Sequence, residues 1–301
     1  LGRGGDQAII KQNGKYYFFG GRTQEVEKRT RVKARIVSQA LEEIMNGASN
    51  IIIMGHANSD IDAMGASLGL YRIAKNIGKE VYIVNETNGT SLENFMNEIK
   101  EIDEYKNIIV DRSTASNKIN QESLLIVVDT DKKNYVEAPE LLTKTDKIAV
   151  IDHHRRGTDY IENATLTFQE VYASSASELV TELIEYSQKP LKLSELEVEG
   201  LYAGIMMDTK NFTFKTGVRT FEAAAFLRRH GADVTRVRKM LRTDMAEYRA
   251  VAQAVSRATV YRDAFAITVF DGEGVESPTI GGAKAANQLL DISGIKASFV
   301  I

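Results

Sequence analysis

The chain contains no cysteine and only four histidines among its 301 residues. Without thiols, disulfides, thiolate nucleophiles, Cys-ligated zinc and iron–sulfur clusters are all excluded. The same absence is compatible with a reducing compartment. No apolar run reaches the ~20 residues that a membrane-spanning helix needs, and no signal-peptide pattern opens the sequence. There is no internal repeat, low-complexity tract or heptad run. A surplus of basic residues is missing too: the formal net charge is -3, whereas a reader of duplex nucleic acid is usually basic. A small phosphorylated ligand stays compatible, since it needs only a local positive site, which a metal can supply. The first residues are Leu1-Gly2-Arg3-Gly4-Gly5-Asp6, with no initiating methionine. This reads as a fragment, with any upstream anchor outside it.

What is present is the composition of an ordinary globular protein, 43% hydrophobic and 26% charged. Residues 7–20 pattern as a hairpin around Asn13-Gly14, a strong turn signal. A charged helix follows over residues 25–47, with Val32, Ile36, Val37, Ala40, Leu41 and Ile44 at helical spacing and Gly47 at its end. From residue 50 the pattern becomes strand, loop, helix, repeated. Apolar strands are expected at 50–55, 80–84, 107–110, 123–128 and 147–151, with helices at 61–77 and 92–100. Continuous Val/Ile/Leu runs of this kind suit a parallel sheet covered on both faces, so the expected class is α/β with an open, mostly parallel sheet. Helices at 174–187, 194–207 and 221–230, a long helix at 234–258, a strand at 264–270, a helix at 281–292 and a strand from 296 complete the pattern. The long helix leaves pairing with a second copy, a homodimer, open.

The chemistry-bearing residues gather just after these strands, where sites form in open α/β sheets. Strand 50–55 runs into His56, Asp60 and Asp62. Strand 123–128 ends in Asp129-Thr130-Asp131, and strand 147–151 in Asp152-His153-His154-Arg155-Arg156. The helix 194–207 runs into Asp208. Imidazole and carboxylate without thiolate suit a borderline or hard divalent ion. One ion needs about three protein ligands, and a pair about 3.5–4 Å apart that grips a phosphoryl group would use all of them. Plainer roles compete at several positions. Asp60 or Asp62 can be a helix N-cap, and Asp131 and Asp152 can be loop or supporting residues. Ser174, Ser175 and Ser177 fit ordinary capping better than phosphate binding. His230, before Gly231, fits a C-terminal cap, and Gly55 and Gly65 fit close packing. Three of the four histidines falling in strand-end loops argues against coincidence.

The run Gly55-His56-Ala57-Asn58-Ser59-Asp60-Ile61-Asp62-Ala63-Met64-Gly65 resembles the first motif of the DHH phosphoesterase superfamily. Asp152-His153-His154 matches the motif that names it, Asp129 the second and Asp208 the fourth. The resemblance covers residues 50–215. It implies one metal held by His56, Asp60 and Asp129, and another by Asp62, Asp129, His153 and Asp208, with Asp129 as the bridge. Asp129 is preferred over Asp131 because it comes first off its strand. Manganese is the implied ion, with magnesium or cobalt as alternatives. Water activated by the pair would attack phosphorus, with His154 at the phosphate as donor or proton relay. Arg155 and Arg156 are phosphate helpers or a solvated pair.

Gly2–Gln7 resembles the end of a degenerate GGDEF domain. Phe19–Thr23 and Asp208–Phe212 resemble the membrane-bound cyclic-di-AMP phosphodiesterases of this superfamily. That implies cyclic-di-AMP as substrate, linear pApA as product, and upstream transmembrane helices and a PAS domain. The implied organisation is a GGDEF-like tail at 1–24, a linker helix at 25–49, a catalytic domain at 50–233, and an interdomain helix with part of a smaller substrate-binding domain at 234–301. The glycine-rich, histidine-bearing loop of that last domain is not Gly281-Gly282-Ala283-Lys284 and would lie past Ile301. The alternatives are a nanoRNase- or RecJ-like nuclease acting on short oligonucleotides or pApA, a pyrophosphatase, and an inactive nucleotide sensor. The sensor would require a lost ligand, and none of the six is missing.

Overall fold

The computed structural model of the protein describes residues 8–12, 15–19, 23–86, 90–275 and 277–301. The strands β1 (Ala8–Gln12) and β2 (Lys15–Phe19) pair antiparallel. The Asn13-Gly14 turn, the Gly2–Gln7 run and Gly20-Gly21-Arg22 lie outside the described residues. The helix α1 (Thr23–Asn46) follows. Its buried stripe is Ala34, Val37, Leu41 and Met45, while Val32 and Ile36 are exposed. The expected stripe is therefore rotated. The reason is tertiary: Ser38 Oγ donates to the Leu183 carbonyl at 2.9 Å, which turns the Val37/Leu41 side inward. Ala34, Val37, Leu41 and Met45 belong to the main core.

The main unit runs β3 (Ile51–Met54), α2 (Ile61–Asn76), β4 (Val81–Val84), α3 (Thr90–Glu101), β5 (Ile109–Val110), α4 (Arg112–Lys118), β6 (Leu124–Val128), a 3₁₀ turn at Pro139–Thr143, β7 (Ile148–Asp152) and β8 (Leu166–Gln169). Three helices follow, α5 (Ala176–Glu185), α6 (Glu195–Asp208) and α7 (Val218–Arg229). The six strands lie in the order β5-β4-β3-β6-β7-β8, and every pairing is parallel. Alternation assigns the two faces. Ile51, Ile53, Leu124, Ile126 and Ile151 pack in the cluster that includes α1, α2, α5 and α6. Ile52, Met54, Leu125, Val127 and Val150 pack in a second cluster on the other face. Strand order reverses between β3 and β6, which makes a crevice at the carboxyl ends of two neighbouring strands.

Helices α2 and α6 cross closely. A Cβ on Gly65 would lie 2.4 Å from the Gly200 carbonyl oxygen, so packing does account for that glycine. His230 caps α7, its backbone N–H reaching the Phe226 carbonyl at 3.1 Å. The expected long helix at 234–258 is two helices, α8 (Val234–Met240) and α9 (Met245–Ser256). The break has a local cause: the Asp244 carboxylate accepts the Ala246 and Glu247 N–H groups and starts a new helix. Next come β9 (Thr259–Tyr261), β10 (Phe265–Thr268), α10 (Pro278–Leu290) and β11 (Ala297–Val300), with the strands in the order β11-β10-β9. Val251, Ala254 and Ala285 form their small core. The strands β8 and β9 and the helix α4 were not expected from the pattern. Among the described residues no helix is long and apolar enough to cross a membrane.

Candidate metal centre

The loops after β3 and β6 emerge side by side at the strand-order reversal, and the loop after β7 is their neighbour. This alone brings His56, Asp60, Asp62, Asp129 and His153 to one place, and Asp208 joins them as the last residue of α6. Three groups have ligand atoms within 4.8 Å of one another: His56/Asp60/Asp129, Asp62/His153/Asp208 and Asp129/His153/His154. Asp129 is the hinge of the arrangement. Its Oδ2 lies 3.4 Å from His56 Nε2, and its Oδ1 lies 3.2 Å from His153 Nε2. His153 Nε2 is also 3.2 Å from Asp208 Oδ2. Asp129 leaves β6 with a φ of +59°, a left-handed conformation that aspartate tolerates better than most residues.

Each aspartate of the β3 loop is aimed by backbone N–H groups. Asp60 is the N-cap of α2, and its Oδ1 accepts from the Asp62 and Ala63 N–H groups at 2.9 and 3.1 Å. Its other oxygen faces His56 Nε2 at 3.9 Å. Capping and site roles are therefore compatible in one side chain. Asp62 is fully buried, and its two oxygens accept from the Ala176 and Ser177 N–H groups, at 2.7 and 2.9 Å. These groups belong to the first turn of α5, whose N-cap is Ser175. Of the three serines only Ser175 caps the helix, while the Ser177 hydroxyl donates to the Asp62 carbonyl at 3.2 Å. Gly204 of α6 makes room: a Cβ there would lie 2.5 Å from Asp62 Oδ1.

His154 is half-exposed, and its Nδ1 lies 2.8 Å from Asp152 Oδ1, which orients the ring. Gln169 Nε2, at the end of β8, donates to Asp131 at 2.9 Å, to Asp152 at 3.3 Å and to the His154 carbonyl at 3.1 Å. Asp131 and Asp152 therefore support the site from behind. Arg156 is engaged with Gln169 Oε1 at 3.0 Å and packs over Tyr160, and Arg155 is exposed. Tyr135 stacks on His56 with ring centroids 5.5 Å apart. Gln169, Gly204 and Tyr135 were not singled out in the sequence. β8 holds a single fully buried side chain, Phe168, too weak a signal to reveal the strand that delivers Gln169.

The electrostatics are unbalanced without a cation. Burial, reinforced by the Asp129 charge, pushes Asp60 up to about 6. Burial and the charges of Asp129 and Asp208 raise Asp62 well above the carboxylate range, despite its two N–H donors. Burial opposes protonation of His153, but Asp129 and Asp208 outweigh it and push the imidazole up to about 11. The same pairing overrides burial at Asp129 and lowers it to about 2. His153 Nε2 and Asp129 Oδ1 are both buried and, although close, make no hydrogen bond. A donor set of imidazole nitrogen and carboxylate oxygen with such orphaned atoms fits a divalent cation.

The family model described as DHH family, N-terminal domain, matches residues 50–205. The chain belongs to the DHH family. Among DHH-family relatives, it is 43% identical over 305 residues to the cyclic-di-AMP phosphodiesterase GdpP of Bacillus subtilis, covering 100% of this chain and 46% of that protein. It is 42% identical over 304 residues to the cyclic-di-AMP phosphodiesterase PdeA of Listeria monocytogenes, with the same coverage of 100% and 46%. The chain thus spans about half the length of the curated relatives it matches. The crystal structure of an exopolyphosphatase-related protein from Bacteroides fragilis shares the DHH-type fold. Its TM-score is 0.72 at 22% identity, over 86% of this chain and 77% of that one.

Proposed function

We propose that this DHH-family chain is a metal-dependent phosphodiesterase that opens cyclic-di-AMP to linear pApA. The observation that carries the reading is the splayed Asp129 carboxylate, one oxygen toward His56 and the other toward His153, between two groups of ligand-type residues. His56, Asp60 and Asp129 would hold one divalent cation, and Asp62, Asp129, His153 and Asp208 a second, with manganese as the proposed ion. Such a pair supplies Lewis acidity, lowering the pKa of water and neutralising charge on a phosphoryl group. The substrate is supported by the names of relatives that are 43% and 42% identical to this chain over its whole length.

The chain's own residues supply the rest. The backbone N–H groups at the starts of α2 and α5 fix Asp60 and Asp62, so these carboxylates need little reorganisation when ligand arrives. Asp152 orients His154 through Nδ1 and leaves Nε2 of this half-exposed ring free to meet a phosphate. With a proton on Nε2, His154 would donate it to the departing ribose 3′ oxygen as water adds to phosphorus, leaving a 5′-phosphate. The protein incubated with manganese and cyclic-di-AMP should yield pApA by chromatography, and far less AMP from pApA. Rapid turnover of pApA with cyclic-di-AMP left intact would replace this reading with an oligonucleotide-trimming one.

A further inference from the structure

Behind Asp62 lies a buried carboxylate outside the three ligand groups. Glu178 lies in the first turn of α5 and is fully buried. Its Oε2 takes three donors: the Ser174 N–H at 3.1 Å, the Ser174 hydroxyl at 2.6 Å and the Thr220 hydroxyl at 2.7 Å. Its Oε1 has no hydrogen-bond partner and lies 4.0 Å from Arg219 Nε. Ser174 precedes the turn whose N–H groups hold both oxygens of Asp62. Thr220 opens α7, at the far end of the loop that begins after Asp208. That loop is constrained, with Lys210, Asn211 and Phe212 all at positive φ. One carboxylate therefore ties the support of Asp62 to the far end of the segment that leaves Asp208.

We propose that Glu178 is a positioning residue that sets the spacing of Asp62 and Asp208, and so tunes one cation position without touching the other. The proposal rests on the metal assignment above. Leaving a carboxylate oxygen buried without a hydrogen bond is costly, but an apolar side chain here would orphan the buried Ser174 N–H and the Ser174 and Thr220 hydroxyls. The geometry offers a reason to keep it: charge-assisted hydrogen bonds hold geometry more firmly than neutral ones. Glu182, a turn further along α5, provides the contrast. It forms a two-point ion pair with Arg219, at 2.7 and 2.6 Å, and holds α5 to α7 without reaching the Asp62 turn.

The test is manganese titration by calorimetry of the full chain, wild type beside Glu178→Gln and Glu182→Gln, with urea midpoints of the metal-free proteins. Supporting contacts of this kind change metal affinity about 10–100-fold. Glu178→Gln should weaken one class of manganese site at least about tenfold and leave the other within twofold, while Glu182→Gln lowers the urea midpoint and leaves both classes in place. Equal affinities in wild type and Glu178→Gln would overturn the proposal, and so would equal losses at both classes. Should Glu178→Gln fail to fold, Thr220→Val removes one of the three donors and decides, with no change in either class overturning it. Wild-type protein that takes up no manganese overturns the metal assignment and this proposal together.

Discussion

The left-handed backbone at Asp129 allows its two roles, backbone and ligand, to be separated. Asp129→Ala and Asp129→Gly both remove the carboxylate that stands 3.4 Å from one imidazole and 3.2 Å from the other, so both should lose tight manganese at both positions. They differ in how they bear a φ of +59°. An alanine there pays about 1–2 kcal/mol, whereas a glycine pays nothing for the angle. Glycine loses roughly 0.4–1 kcal/mol through the freedom it gives the unfolded chain. Taking the middle of each range, the balance favours the glycine variant by about 0.8 kcal/mol, the reverse of the order at an ordinary position. With a urea dependence of about 3 kcal/mol per molar, the midpoints of the metal-free variants should differ by roughly 0.2–0.3 M. Urea unfolding in the presence of a chelator measures this directly. An alanine variant as stable as the glycine variant, or more so, would refute the backbone argument. Two firmly held ions in either variant would refute the bridging role.

Manganese must compete with protons on His153, pushed up to about 11, on Asp60, at about 6, and on the raised Asp62, so uptake near pH 7 should release at least one proton and tighten as pH rises. Calorimetry in buffers of different ionisation heat measures the release, and an affinity flat between about pH 6 and pH 9 would contradict it. In metal-free protein the raised His153 contributes stability that is complete below its unfolded value of 6.5 and is lost as pH rises through about 11. Asp129 acts in the opposite sense: its contribution is present above 3.8 and is lost as pH falls through about 2. The raised Asp60 and Asp62 act in the same sense as His153, so chelator-treated protein should weaken toward alkaline pH when urea midpoints are followed. His154→Ala should cut cyclic-di-AMP turnover by about 10²–10⁴-fold with manganese affinity intact, and a rate within twofold of wild type would remove His154 from the mechanism. Gly204→Ala forces a Cβ to within 2.5 Å of Asp62 Oδ1, which should lower stability by about 1–3 kcal/mol and weaken manganese binding, both readable by urea titration and calorimetry.

The central strands were legible because burial on both faces leaves no choice but continuous Val, Ile and Leu, as in Leu124–Val128. The gathering of His56, Asp129 and His153 was legible because each directly follows such a strand, and topology does the rest. Asp208 needed the family motif, since a helix end carries no comparable rule. What escaped depends on contacts between distant residues. Gln169 reaches Asp131 and Asp152 from a strand with one buried side chain, and Glu178 meets Thr220 across 42 positions of chain. The stripe of α1 was misplaced because Val32 and Ile36 satisfy helical spacing as well as Ala34 and Met45 do. Only the neighbours of the helix decide between them. The break at Asp244 was written locally, as a capping residue, but an uninterrupted helical pattern on both sides concealed it.

The burial of α1 also fixes where the catalytic unit can be cut. A chain started at residue 50, where the family match begins, would strip Ala34, Val37, Leu41 and Met45 from their partners and lay open an oily trench beside α5 and β8. Such a shortened protein would keep every candidate ligand and still clump in solution, so its silence in an assay would report on solubility rather than on chemistry.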